Sequence, residues 1–186
     1  MHSSQLTELV RAAMFSALAI GLGYALLMVP NVELMTLIIF IAGLTLGLRW
    51  GVIIGGTSEA IYSILNPFGS GLMFPPLLIA QVVSMMFVGF AGGLLRSVFY
   101  RTSFSSIQIG FAGVVGFVVT FIFDSLTTLS YPVSAGFDAP QTWGIYLSGL
   151  WFTVLHQVSN IVVFSVGVPT VMKHLANEKK DIKSKK

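Results

Sequence analysis

The sequence predicts an all-α integral membrane protein, a bundle of six transmembrane helices with the N- and C-termini both cytoplasmic. Three observations carry that expectation. Hydrophobic residues make up 55% of the 186 positions against 9% charged, and mean hydropathy is +0.87, too little polar surface for a fold solvated by water. Long apolar runs recur along the chain, each broken by charge, proline or turn residues. All ten lysines and arginines fall in segments that a six-span count places on one side, the pattern of a cytoplasmic face.

The elements follow from the interruptions. A first span runs from about Leu6 to Val29 and stops at Pro30-Asn31; it passes signal-peptide length with no small-residue cleavage pattern, so it reads as a mature helix. A second, from about Val32 to Leu48, stops at Arg49-Trp50-Gly51. The third, Val52 to Leu65, ends at Asn66-Pro67-Phe68-Gly69-Ser70-Gly71, a run that cannot sustain a helix and reads as an external loop. The fourth opens at Pro75-Pro76, where proline suits a first helical turn, and reaches Leu95; the fifth covers Ile107 to Leu129. A loop over Tyr131 to Gln141 precedes the sixth, Trp143 to about Met172, long enough to bend at Pro169. Residues 1–172 thus read as one six-helix membrane domain and residues 173–186 as a basic cytoplasmic tail holding six of the ten basic residues. The net charge of +3 belongs to that tail, including Lys179, Lys180, Lys183, Lys185 and Lys186, and not to a nucleic-acid surface. With no cysteine, disulfides and thiolate chemistry are excluded.

Within the spans, Ala13, Ala17, Gly21 and Ala25 recur every four residues, a stripe that lets another helix approach closely, either a partner or a neighbour in the bundle. Gly89, Gly92 and Gly93 read as internal packing. Ionisable groups inside a bilayer are costly, about 2.5–3.5 kcal/mol at a helix centre, so each needs a reason. They are Glu59 in the third span, Asp124 in the outer half of the fifth and His156 in the sixth, with Glu33 at the outer start of the second. Gln81, Gln157 and Asn160 add hydrogen-bonding capacity, and Glu59, Ser63 and Asn66 share one helical face while His156 and Asn160 share another. These residues suggest a polar ligand site open to the outside; the alternative is that Glu59 or Asp124 pairs with His156 in a purely structural network. Phe68, Phe74, Tyr131, Phe137, Trp143, Tyr146 and Trp151 gather at the outer end, where an aromatic belt is expected in any case, and Trp151 lies deepest. With no cation in the outer half, a neutral or cationic nitrogen heterocycle suits Glu33, Glu59 and Asp124 better than an acid does. No phosphate-binding loop, zinc-protease helix or nucleophile elbow occurs, and with His2 and His174 near the two ends of the chain, a three-histidine metal site is not expected.

The stretch Ala13-Met14-Phe15-Ser16-Ala17, the run Pro30-Asn31-Val32-Glu33-Leu34 opening a helix that ends Ala42-Gly43-Leu44-Thr45-Leu46-Gly47, then Asn66-Pro67-Phe68-Gly69 and Pro75-Pro76-Leu77-Leu78-Ile79-Ala80-Gln81, together resemble the substrate-binding S components of energy-coupling factor (ECF) vitamin transporters. The resemblance implies a subunit of an ABC importer in a prokaryotic cell membrane. Such a subunit binds a vitamin or precursor from outside, docks through its first helix on a membrane coupling subunit, and binds no cofactor, ATP being used by two partner ATPases. It also implies lids at the external loops. The substrate-binding residues then expected are Gln81, Asp124, Trp151, His156 and Asn160, with Glu59, Asn66 and Phe74 added from the polar face and the loop. Ala13, Ala17 and Gly21 are expected to dock the partner. The patterns of the thiamin, riboflavin and biotin subfamilies are not met. Rival readings are an intramembrane enzyme using Glu59, Asp124 and His156 as acid–base groups, and a small self-contained channel or secondary transporter, for which no inverted repeat is found.

Overall fold

The computed structural model describes residues 3–184, with side chains described from Gln5 to Glu178. His2, Lys185 and Lys186 lie outside the described residues, as do the side chains of Lys179, Lys180 and Lys183. The described chain is all-helical: α1 Ser3–Ala25, α2 Met35–Leu46, α3 Leu48–Ile64, α4 Pro75–Leu94, α5 Arg96–Phe99, α6 Ser106–Ser134, α7 Ala139–Ser148 and α8 Leu150–Ser184, with one 3-10 turn at Gly71–Met73.

Helix α2 is the hub, in contact with α1, α3, α4 and α8, and Phe40 at its middle packs against both Phe99 and Phe164. It is short because both ends are signalled. Asn31 turns the chain with φ 57°, Glu33 Oε2 then accepts the Thr36 N–H at 2.8 Å, and Gly47 stops the helix at φ 92°, a conformation that a side chain would strain. Around it α2, α3 and α4 touch backbone to backbone. A methyl placed on Gly43 or Gly51 would strike the Gly89 carbonyl, and one on Gly92 would strike that of Phe40. Gly89 and Gly92 are therefore packing glycines of the interior. The α6–α8 pair uses the same device, with Gly116 against Phe164 and the Asn160 backbone.

One expectation is met in part, and two need correction. Among the described residues four helices are long and apolar enough to cross a membrane, α1 (over Gln5–Ala25), α4, α6 and α8 (over Leu150–Glu178). Helices α2 and α3, with 12 and 17 residues, fall short, where a six-span count needs both to cross. The expected loop from Tyr131 to Gln141 is mostly helix. Pro132 does not end α6; the stop signal is Gly136 at φ 71°, where Gly136 N–H bonds Val133 O and Phe137 N–H bonds Pro132 O, the Schellman pattern. The expected sixth span, Trp143 to Met172, is two helices. Asp138 and Gln141 form a reciprocal cap that starts α7 with Pro140 in its first turn, and a break at Gly149 hands over to α8, which then runs unbroken through Pro169.

Helices α1 and α3 are joined at both ends, by Trp50 Nε1–H donating to Glu8 at 3.1 Å and by Tyr24 Oη–H donating to the Tyr62 carbonyl at 3.1 Å. The Trp50 end also carries Arg49, Arg96 beside Gly47, and a cleft where Thr102–Phe104 meets Pro169–Lys173. The opposite end carries the turn at Pro30, the segment 65–74 and the Schellman turn at Gly136.

Candidate functional site

At that opposite end three helices bring charge together inside an apolar bundle. Asp124 lies on α6, His156 one turn before Asn160 on α8, and Glu33 just ahead of α2. The His156 Nδ1–H donates to Asp124 Oδ1 at 2.8 Å, and Gln157 Nε2–H donates to the other oxygen, Oδ2, at 3.0 Å. On the far side of the imidazole, Nε2 lies 3.8 Å from Glu33 Oε1, which also accepts Asn160 Nδ2–H at 3.2 Å. The side chains are 12% (Asp124), 13% (His156) and 24% (Glu33) exposed, so the cluster is enclosed but not sealed, with Glu33 its most open member. Asn160 is fully buried and Gln157 nearly so.

A second polar group adjoins it. Glu59 on α3 is 2% exposed and its Oε1 accepts from Ser63 Oγ at 2.7 Å, while Ser63 Oγ is 3.1 Å from Gln81 Oε1 on α4. One hydroxyl carries one proton, so a directed chain satisfies all three either with the Gln81 amide turned, donating to Ser63 while Ser63 donates to Glu59, or with a protonated Glu59 donating to Ser63 while Ser63 donates to Gln81 Oε1. Glu33 is within electrostatic range of Glu59, so the two groups form one acidic region. Tyr62, whose ring meets that of Tyr24 at 4.9 Å between centroids, feels both carboxylates.

Of the residues expected from the sequence, Asp124, His156 and Asn160 come together in the first group and Glu59 and Gln81 in the second. Phe74 sits at the rim, its ring 6.0 Å from that of Tyr131, which in turn meets Phe137 at 5.5 Å, so these aromatics tie the segment before α4 to the turn after α6. Asn66 is occupied locally, its Oδ1 accepting the Phe68 N–H at 2.9 Å. Trp151 is 68% exposed and has no partner in either group. Glu33 and Gln157, polar groups of the suggested ligand site though not among the expected substrate-binding residues, enter the cluster as well. Glu33 carried a legible signal, an acid between a proline turn and an apolar helix, and Gln157 was legible only as the neighbour of His156. Among the described residues no three His, Cys, Asp or Glu side chains converge as metal ligands. The arrangement is rich in acceptors, with two carboxylates against one imidazole, which suits a ligand that donates hydrogen bonds or carries positive charge.

The stripe on α1 lies elsewhere. Ala12, Ala19 and Gly23 face the bundle, whereas Ala13, Ala17, Gly21 and Ala25 are exposed, and a methyl added at Gly21 would meet nothing within 4 Å. An apolar cleft of about 490 Å³ lined by Arg11, Met14, Phe15, Ala17 and Leu18 flanks it, remote from the carboxylates. Residues 7–172 match the family described as ECF transporter, substrate-specific component. No curated protein and no solved structure matches the chain.

Proposed function

The chain belongs to the family of ECF transporter substrate-specific components, and from that premise we propose that it captures a vitamin or vitamin precursor on the extracellular side of a prokaryotic cell membrane. As a member it is a multi-pass membrane protein and a transporter component. In the proposed cycle a nitrogen heterocycle or corrinoid-related molecule binds at the Glu33, Asp124, His156 and Asn160 cluster, and Phe74, Tyr131 and Phe137 close over it. The loaded chain docks through Ala13, Ala17 and Gly21 on a coupling subunit whose two ATPases use ATP. Both termini face the cytoplasm and six crossings give the count.

The observation that carries this reading is the hydrogen-bonded cluster of two carboxylates, an imidazole and two amides inside an apolar bundle. A membrane protein that needed only packing would not hold such groups there, given what each costs to bury. The exposed stripe supports the docking step, because small side chains turned outward leave a backbone that another helix can approach.

Mass spectrometry of small molecules released on denaturing the purified protein tests it. A vitamin-like heterocycle near one-to-one is expected. An empty protein that also gives no thermal shift with any vitamin would overturn the reading. The double variant Ala13→Leu, Ala17→Leu is expected to abolish uptake in cells while binding by the purified chain stays unchanged; equal loss of binding would remove the docking role.

A further inference from the structure

The atoms left over in the cluster say more about the ligand than the charges do. Among the described residues four buried side-chain polar atoms have no hydrogen-bond partner: Ser58 Oγ, Thr120 Oγ1, Gln157 Oε1 and Asn160 Oδ1. All four come from the turns that carry the acidic region. Ser58 precedes Glu59, Thr120 is one turn before Asp124, and the two amides follow His156. Hydroxyls elsewhere in these helices are satisfied by the carbonyl four residues back, as Thr45 is by Ile41, Thr57 by Ile53, Ser84 by Ala80 and Thr127 by Phe123. The amides are the more specific signal. Each spends an N–H on a carboxylate, Gln157 on Asp124 and Asn160 on Glu33, which fixes its other end as an oxygen that can only accept. A buried acceptor without a donor is costly, so these oxygens call for N–H or O–H groups from a ligand.

The two carboxylates are not equivalent. Asp124 has both oxygens engaged at hydrogen-bond length, which makes it a positioning residue for His156 and Gln157. Glu33 also has both oxygens engaged, Oε2 by the Thr36 N–H at 2.8 Å and Oε1 by Asn160 at 3.2 Å, but its contact with His156 is 3.8 Å, beyond hydrogen-bond length, and it is the most exposed of the three. Resting on the substrate-site reading above, we infer that the molecule bound here presents an edge of N–H donors around a cationic nitrogen, as an amidinium or a protonated aminopyrimidine does, and that Glu33 is the residue that selects it. The cationic edge replaces His156 as the partner of Glu33, and with that imidazole turned aside its flanking N–H groups reach the Asn160 and Gln157 oxygens, which are closed to solvent in the ligand-free chain. An anionic edge would face Glu33 with no lysine or arginine beside it, since those whose side chains are described, Arg11, Arg49, Arg96, Arg101 and Lys173, belong to the other end of the bundle.

Benzamidine, benzamide and benzoate share one ring and differ only in that edge, so titrating the three into the purified full chain, by calorimetry and thermal shift, tests the inference. The expected order is benzamidine first, benzamide at least about tenfold weaker, and no response to benzoate, the size set by one hydrogen bond to a charged group. Glu33→Gln should remove about tenfold of the benzamidine affinity while the ligand-free melting temperature reports whether the variant is folded. Should it fail to fold, Glu33→Asp, which keeps the charge, should hold the order with lower affinity. Benzoate binding as well as benzamidine, in a manner abolished by Asp124→Asn, would overturn the donor edge and leave the substrate site standing. No response to any of the three would also overturn the donor edge, and the small molecule retained by the native protein would then decide the substrate-site reading separately.

Discussion

Ser63 shows what a single hydroxyl does in this interior. It joins Glu59 to Gln81, and without it a carboxyl group 2% exposed loses its partner. Ser63→Ala is expected to lower stability by about 1–3 kcal/mol, the penalty of an unsatisfied buried polar group, and Ser63→Thr to restore most of it; thermal unfolding in detergent measures both. Residues of this kind are legible in the sequence because an ionisable or amide side chain inside an apolar run stands out, as Asp124, His156, Asn160, Glu59 and Gln81 do. Asn66 shares a face with Glu59 only if helical register continues past the end of the helix: α3 stops at Ile64, so that face no longer exists at position 66. Trp151 is suggested by its depth along the sequence, which carries no direction. Five residues before His156, it points about 140° away around a helix of 3.6 residues per turn, which is why it is left exposed.

Helices rather than residues explain where sequence reading met its limits. Long apolar segments such as α4 declared both ends, through Pro75 in the first turn and the charge at Arg96. The α6–α7–α8 region did not, because proline is read as a breaker, whereas the chain places its break at Gly136 and Gly149 and carries Pro132 and Pro169 inside helices. The α4 glycines Gly89, Gly92 and Gly93 read as packing elements, but which helices they join depends on three-dimensional neighbours that spacing does not give. Gly89 sits against the backbone of Gly51, so Gly89→Ala inserts a methyl where no side chain can yield. The expected loss is at least about 1–3 kcal/mol, as for overpacking of a tight core, and Gly110→Ala, where a methyl meets nothing within 4 Å, should be near neutral. Equal melting temperatures for the two variants would contradict the close approach of α3 and α4.

Crossing number belongs to the whole molecule, and it turns on the α2–α3 hairpin. At 12 residues α2 is about 18 Å long against a hydrocarbon core of about 30 Å, so if its Gly47 end reaches one surface, its Glu33 end lies roughly 10 Å below the other. Such a recess would hold the carboxylate cluster away from the headgroups with Glu33 at its floor. The hairpin starts and finishes at the same end of the bundle, so the sidedness of the termini does not depend on whether it crosses; only the turn at Gly47 does. Arg49 in that turn argues for an aqueous position, given about 2.5–3.5 kcal/mol for arginine at the bilayer centre. The absence of cysteine makes the test direct, since any introduced thiol is the sole target of a maleimide. Met28→Cys and Ala135→Cys should react in intact cells with a reagent that does not cross membranes, whereas Thr102→Cys and Asn177→Cys should react only after permeabilisation. Leu48→Cys decides the count. Reaction only after permeabilisation means that α2 and α3 both cross and the site is recessed, while resistance under both conditions means that the hairpin ends within the bilayer and the chain crosses four times.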